Sequence, residues 1–195
     1  MIVSSIYLKS ELEILVDGIV LKKVSKKLFD KYFRDQKKFE NEDELNEWLE
    51  DIESKVAQKH AYFLLSYKNY PSHLLLQKLI DVGVRKGIAK KQVDECIKLG
   101  YVNDSALIEY LIKKEIMRGY GLKYIKLKLL SKHFKTQIVE VMLEKFLPEE
   151  EEKKNIIFLY NKLKNKKNKR QIYLYLLRKG FDARLICKNI DWQEI

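Results

Sequence analysis

From Asn41 onward the hydrophobic positions fall on a helical period. Leu45, Trp48, Leu49, Ile52 and Val56 sit at i, i+3, i+4, i+7 and i+11, which lines one face of a helix. Asn41 with Glu44 three residues later forms a capping-box pattern, so one long helix is predicted over 42–68, where Asn69-Tyr70-Pro71 breaks it. The start of the chain follows a different pattern. Leu12, Ile14 and Val16 alternate with Glu13 and Leu15, Asp17-Gly18 is a tight-turn dipeptide, and Ile19-Val20-Leu21 continues in extended fashion. Residues 2–23 therefore read as a small β-sheet. Ser25 is expected to cap a short helix that buries Leu28, Phe29, Tyr32 and Phe33 against it.

Beyond Pro71 the pattern becomes a chain of short helices, with breaks near Gly83, Gly100, Gly119, His133, Pro148, Lys166 and Gly180. Ile125, Leu129, Leu130, Phe134 and Ile138 recur 47 residues later as Ile172, Leu176, Leu177, Phe181 and Leu185. Shifted back by 50, the first four become Leu75, Leu79, Ile80 and Val84; a five-residue insertion then brings Val93 and Ile97 onto Ile138 and Met142. The predicted fold is mainly α: tandem three-helix repeats in an elongated curved arrangement, with a small N-terminal β-containing region. The expected divisions are 1–40 for that region, 41–102 for the long helix and first repeat, 103–147 for the second repeat and 148–195 for the third.

Few motifs point to catalysis. Gly119-Tyr120-Gly121 follows a helical segment, and Tyr124 stands where a dinucleotide loop needs its third glycine. Gly119, like Gly100 and Gly180, is expected to end a helix in the left-handed conformation that glycine reaches without steric cost. His60, His73 and His133 stand apart with no HExxH or Ser-His-Asp pattern, so no catalytic residue is assigned and no enzyme activity is expected. Cys96 and Cys187 lack CxxC or CxxH neighbours and read as small core residues. The run Glu149 to Glu152 follows Pro148 and precedes Lys153 and Lys154, which describes a favourable helix start. No metal and no cofactor are expected.

Composition changes the picture through charge. The net charge of +11 is uneven: residues 1–59 carry net −2, residues 60–147 net +8 and residues 148–195 net +5. That excess suggests a polyanionic partner, which leaves nucleic acid, a membrane surface and an acidic protein open. In the second repeat Arg118, Lys123, Lys126, Lys128 and Lys132 surround Tyr120 and Tyr124; in the third, Lys162, Lys164, Lys166, Lys167, Lys169 and Arg170 fall together, followed by Arg178 and Lys179. Lys123 matches Arg170, and Lys132 matches Lys179, under the 47-residue shift. A regular stack would turn such pairs to one side as a basic stripe. Tyr120, Tyr124, Tyr173 and Tyr175 are expected to pack more than to stack on bases. The longest apolar runs, Ala61 to Leu65 and Ile156 to Tyr160, fall far short of the roughly 18 residues of a membrane span, and Lys9 and Glu11 interrupt any signal sequence. A soluble, cytoplasmic monomer is expected.

Gly100-Tyr101-Val102-Asn103-Asp104, about fourteen helical residues, then Arg118-Gly119-Tyr120-Gly121, Ile125, Leu129 and Lys132 resemble the central motif of the RecX family, bacterial regulators of the RecA recombinase. Ala61 to Leu79 resembles the first RecX repeat, with Tyr70-Pro71-Ser72 in place of the family's Arg-Ser pair. Tyr173 to Phe181 resembles the third repeat, and the N-terminal strand region with its acidic helix resembles the extension of longer members. Asn103 departs from the family's second acidic residue, and His133 from its Lys-Gly pair. The resemblance implies a non-enzymatic protein lying along the groove of a RecA filament on single-stranded DNA, restraining filament growth, ATP hydrolysis, strand exchange and coprotease activity. Double-stranded DNA is a further open ligand. The residues expected to face filament and DNA are Arg118, Lys123, Lys126, Lys128, Lys132, Lys167, Lys169, Arg170, Arg178 and Lys179. Lys123→Glu with Arg170→Glu is expected to weaken inhibition without changing helical content. The alternative is a sequence-independent DNA-binding helical protein with no recombinase partner.

Overall fold

The computed structural model describes residues 1–190, so the end of the expected third repeat, residues 191–195, lies outside them. The chain divides into two compact units, Met1–Asn103 and Asp104–Ile195.

The first unit opens with an antiparallel sheet of order β3-β2-β1-β4: β1 (Ile2–Tyr7), β2 (Glu11–Val16), β3 (Ile19–Ser25) and β4 (Lys37–Lys38). Asp17 and Gly18 turn the β2-β3 hairpin with φ of 49° and 82°, the paired left-handed conformation that matches the twist of the flanking strands. The expected alternation in β2 is broken. A register shift between Ile14 and Leu15 lets Leu12, Ile14 and Leu15 all reach the core while Val16 is half-buried. Ser25 does not cap with its side chain; its N–H donates to the Val82 carbonyl at 2.9 Å, and α1 (Lys26–Phe29) runs straight into a 3-10 turn. Phe29 and Phe33 are buried as expected, and Leu28 and Tyr32 are half-buried.

α2 (Glu42–Tyr67) starts where the pattern placed it. Asn41 accepts the Glu44 N–H at 2.8 Å, but the Glu44 carboxylate reaches back one residue further, to the Glu40 N–H, at 2.9 Å. Leu45, Leu49, Ile52 and Val56 are buried, and Trp48 lies between Phe33 and Phe39, with ring centroids 5.2 and 5.1 Å away. α3 (Ser72–Asp81) and α4 (Lys86–Lys98) pack on α2. Glu53, buried in α2, draws the parts together. It accepts the Arg85 N–H at 2.7 Å and the Arg85 Nε at 3.1 Å, and it pairs with Lys22 of β3.

The second unit holds two further helix triads: α5 (Asp104–Met117), α6 (Leu122–Leu130) and α7 (Thr136–Phe146), then α8 (Glu149–Leu163), α9 (Lys169–Arg178) and α10 (Ala183–Asn189). Every expected break falls between helices. The repeated apolar positions form the cores: Ile125, Leu129 and Phe134 in one cluster, Ile172, Leu176 and Phe181 in another. Burying each aliphatic side chain contributes about 1.5–3 kcal/mol, which outweighs the few tenths typical of an exposed ion pair.

The five-residue insertion expected after Val84 is absent. The second and third helices of each triad start fourteen positions apart: Ser72 to Lys86, Leu122 to Thr136, Lys169 to Ala183. Under one uniform shift of 50, Ala89 matches Val139 and Val93 matches Leu143, all four buried. The expected partners Ile97 and Met142 differ instead, Ile97 exposed and Met142 buried. A match on large aliphatic residues alone passes over Ala89, which is small but fully buried. The same spacing aligns Gly83, His133 and Gly180, and all three take positive φ, at 101°, 61° and 87°.

Candidate functional site

The expected cations gather on α6, α9 and the turns beside them, yet half of them are held by the protein itself. Glu115 of α5 is buried, and it accepts the Arg118 Nη1 at 3.2 Å and pairs with Lys128 Nζ at 2.9 Å. Burial alone would raise the Glu115 carboxyl, but the Lys128 ammonium and the Arg118 guanidinium hold it below the usual carboxylate range. Lys128 is raised in turn, chiefly by its hydrogen bond to Glu115. Lys123 pairs with Asp182 at 2.7 Å and, with the Arg184 N–H, keeps that carboxyl low. Lys126 pairs with Glu140 at 2.6 Å, tying α6 to α7.

Lys179 is engaged differently. Its Nζ stands 3.8 Å from the centroid of the Tyr120 ring and donates to the Arg118 carbonyl at 3.4 Å. Tyr120 and Tyr124 stack face to face with centroids 3.9 Å apart. These two rings pack on each other and on a lysine, as expected of them.

Lys132, Lys167, Lys169, Arg170 and Arg178 remain. Among the described residues none of the five pairs with a carboxylate, and Arg178 donates its Nε to the Leu174 carbonyl of its own helix at 3.3 Å. Positions equivalent by the 47-residue shift therefore differ electrostatically: Lys123 is paired and Arg170 is not, Lys179 lies on a ring and Lys132 does not.

The elements carrying these cations are joined by a junction that the sequence pattern did not reveal. The start of α6 has orphan N–H groups, as every helix does. The Gly121 N–H donates to the Lys179 carbonyl at 2.8 Å and the Lys123 N–H to the Gly180 carbonyl at 3.0 Å. The Leu122 N–H donates to Glu152 Oε1 at 2.9 Å. Glu152 is the inward member of the acidic run; Glu150 and Glu151 pair with Lys153 and Lys154 at the surface, as a helix start predicts. Burial pushes the Glu152 carboxyl up, and the Leu122 N–H only partly counters that.

The junction is tight enough to need two glycines. A Cβ on Gly121 would lie 2.7 Å from the Phe181 nitrogen, and one on Gly180 would lie 2.4 Å from the Tyr124 nitrogen. Gly119 ends α5 with φ 73°, as expected of it. Gly121 has the further role of close approach.

Among the described residues no group of three or more His, Cys, Asp or Glu side chains could hold a metal ion, and no helix is long and apolar enough to cross a membrane.

A small antiparallel sheet followed by three-helix repeats, with cations spread over helix surfaces, defines a helical-repeat protein. No protein-family model matches the chain. A regulatory protein RecX of Caldanaerobacter subterraneus subsp. tengcongensis is 29% identical over 141 residues, 72% of each chain. A regulatory protein RecX of Legionella pneumophila (strain Corby) is 28% identical over 138 residues, 66% of this chain and 88% of its own. The fold is that of solved RecX structures. A crystal structure of regulatory protein RecX superposes with a TM-score of 0.57 at 17% identity over 94% of both chains. RecX from Lactobacillus salivarius superposes with a TM-score of 0.63 at 23% identity over 70% of this chain and 94% of its own. The chain is similar in sequence to these RecX proteins and shares the fold of the solved RecX structures, and a regulatory role is the function those relatives carry in their names.

Proposed function

We propose that this chain is a non-enzymatic regulator, mainly an inhibitor, of a RecA recombinase, acting on the RecA filament formed on single-stranded DNA and restraining its ATP hydrolysis, strand exchange and coprotease activity. The observation that carries the reading is the set of cations with no carboxylate partner among the described residues, Lys132, Lys167, Lys169, Arg170 and Arg178, on helical repeats of RecX type. Cations paired within the fold are largely neutralised before any ligand arrives; unpaired ones offer their full charge to phosphates or to an acidic protein face. Arg118, Lys123, Lys126, Lys128 and Lys179 build the surface that carries them. The N-terminal sheet region serves as a secondary docking element, and the protein works as a cytoplasmic monomer.

The test is single-stranded-DNA-dependent ATP hydrolysis by the cognate RecA with this protein titrated up to equal stoichiometry. Inhibition at substoichiometric amounts supports action on the filament. Unchanged hydrolysis at equal stoichiometry, with equal affinity for naked DNA and for the filament, overturns it in favour of a DNA-binding protein without a recombinase partner.

A further inference from the structure

The C-terminal half of α2 presents rings to solvent. Phe63 is 50% exposed, Tyr67 74% and Tyr62 37%, and Tyr101, after α4, is 57% exposed. They are ordered against one another: Phe63 meets Tyr67 edge-on at 5.0 Å, His60 lies parallel to Phe63 at 6.3 Å, and Tyr62 meets Tyr101 edge-on at 5.7 Å. Between Tyr62 and Tyr101 a recess of about 390 Å³ opens over Leu65 and Ser66. A core helix has no use for rings on its outer face, and exposing this much aromatic surface is unfavourable unless something covers it.

The charge around the rings indicates what covers them. From Ser54 to Ile80 the chain contains no acidic residue, while Lys55, Lys59, Lys68 and Lys78 fall within it. This run follows a segment, residues 1–53, that is otherwise acidic. Lys68 and Lys78 stand 4.8 and 5.9 Å from the centroid of Tyr70. Lys59, one residue before His60, lines a cleft with Lys27, Lys31, Arg34 and Asp30, where Arg34 pairs with Asp30. Burial, with the fields of Lys78 and Lys27, keeps His60 below the ordinary imidazole range.

We infer that this face of the first repeat is a stacking platform for single-stranded nucleic acid, in which unpaired bases lie on Phe63, Tyr67 and the Tyr62-Tyr101 recess while Lys59, Lys68 and Lys78 track the phosphates. Rings interleaved with cations suit this ligand because every base has a π-face and every linkage a charge. Duplex is excluded by the same geometry, since its bases are already stacked. The platform is built wholly from residues of the first unit and goes beyond the role proposed for the cations of the second.

The experiment is fluorescence anisotropy of the full chain with two labelled oligomers of equal length, an oligothymidylate and an abasic deoxyribose-phosphate strand. Phe63→Ala with Tyr67→Ala is expected to weaken oligothymidylate binding about tenfold or more, a scale set by the loss of one to two stacked bases. Abasic binding and far-UV circular dichroism stay unchanged, and Phe63→Trp with Tyr67→Trp restores the affinity. Equal oligothymidylate affinity in the alanine variant, or a parallel loss on both oligomers, overturns the inference. So does loss of concentration-dependent self-association in sedimentation equilibrium with DNA binding intact, which would make the face an interface between copies. Lys167→Glu with Arg170→Glu, which lowers binding of both oligomers and weakens RecA inhibition if the proposed function holds, separates failure of the platform from failure of that reading.

Discussion

Glu152 Oε1 stands 2.9 Å from the backbone nitrogen of Leu122, thirty residues earlier, so a carboxylate of the third repeat closes the open end of a helix in the second. Negative charge at a helix N-terminus is favourable, and a buried N–H left without an acceptor costs about 1–3 kcal/mol. The same bond keeps α6 in register with the turn after α9.

Replacing Glu152 separates its two effects. Glu152→Ala orphans the Leu122 N–H and is expected to lower stability in urea unfolding by about 1–3 kcal/mol. Glu152→Gln keeps an acceptor and removes a charge that burial disfavours. Because the folded carboxyl is raised above its unfolded value, the folded state holds more protons in the window between the two, and the wild type loses stability as pH rises through it. The Gln variant is expected to lack that loss, so it gains on the wild type as pH rises above the unfolded carboxylate value; a difference that stays constant with pH would contradict the assignment.

Glu115 has the opposite sign. Its carboxyl is held low, so the stabilisation is in place above the unfolded value and disappears as pH falls through the folded one. Glu115→Gln is expected to destabilise by about 1–3 kcal/mol at neutral pH, since Lys128 and Arg118 lose a charged partner, and to flatten the acid limb of the stability curve. Thermal melts of both proteins from pH 7 downward measure this.

Two glycines with similar backbone conformations offer an internally controlled comparison. Gly100 and Gly180 have φ of 76° and 87°, but a Cβ at Gly100 meets nothing within 4 Å while one at Gly180 strikes the Tyr124 backbone. Gly100→Ala is expected to cost about 1–2 kcal/mol from conformation alone. Gly180→Ala is expected to cost clearly more, with the excess reporting the junction. Equal losses would mean that the α6-α9 approach relaxes freely.

Charge reversal now divides the expected basic stripe. Among the described residues Arg170 touches no carboxylate, so under the proposed function Arg170→Glu is expected to weaken inhibition of the recombinase with an unchanged Tm. Lys123→Glu sets a second carboxylate beside Asp182, so it is expected to lower Tm by about 2–4 °C, roughly 1 kcal/mol for a chain of this size. A double variant that leaves the fold untouched, the simplest expectation from sequence, is therefore not available through Lys123. Differential scanning calorimetry beside the ATPase titration distinguishes the two.

What was legible in the sequence followed from periodicity. Leu45, Leu49, Ile52 and Val56 announced α2, and Ile125 with Leu129 announced α6 and, through Ile172 and Leu176, its later copy α9, because burial forces apolar residues onto one face. Local chemistry exposed the caps only in part: Asn41 caps as it should, while Ser25 spends its N–H on Val82 because a neighbouring strand and turn compete for it. Ala89 was invisible because a methyl group gives little pattern, although its place is as buried as that of Val139. His133 hid a left-handed turn that Gly83 and Gly180 advertise. The site was harder still. That Glu115 and Glu152 turn inward, and that Lys123, Lys126 and Lys128 find partners, depends on which helices meet. One signal was present: Glu115 and Arg118 lie three apart, the spacing of neighbours on a helix surface.

The constant spacing of the helical hairpins, fourteen positions from one start to the next, bears on how such a chain can diverge. One residue gained or lost between the paired helices would swing the second by about 100° and turn Ala89, Val139 or Ile186 out of the core. The leading helices tolerate change: α2, α5 and α8 run to 26, 14 and 15 residues with the hairpins unaltered. Within this chain the leading helices thus carry the variation in length from repeat to repeat, while the hairpins differ only in which residues fill them.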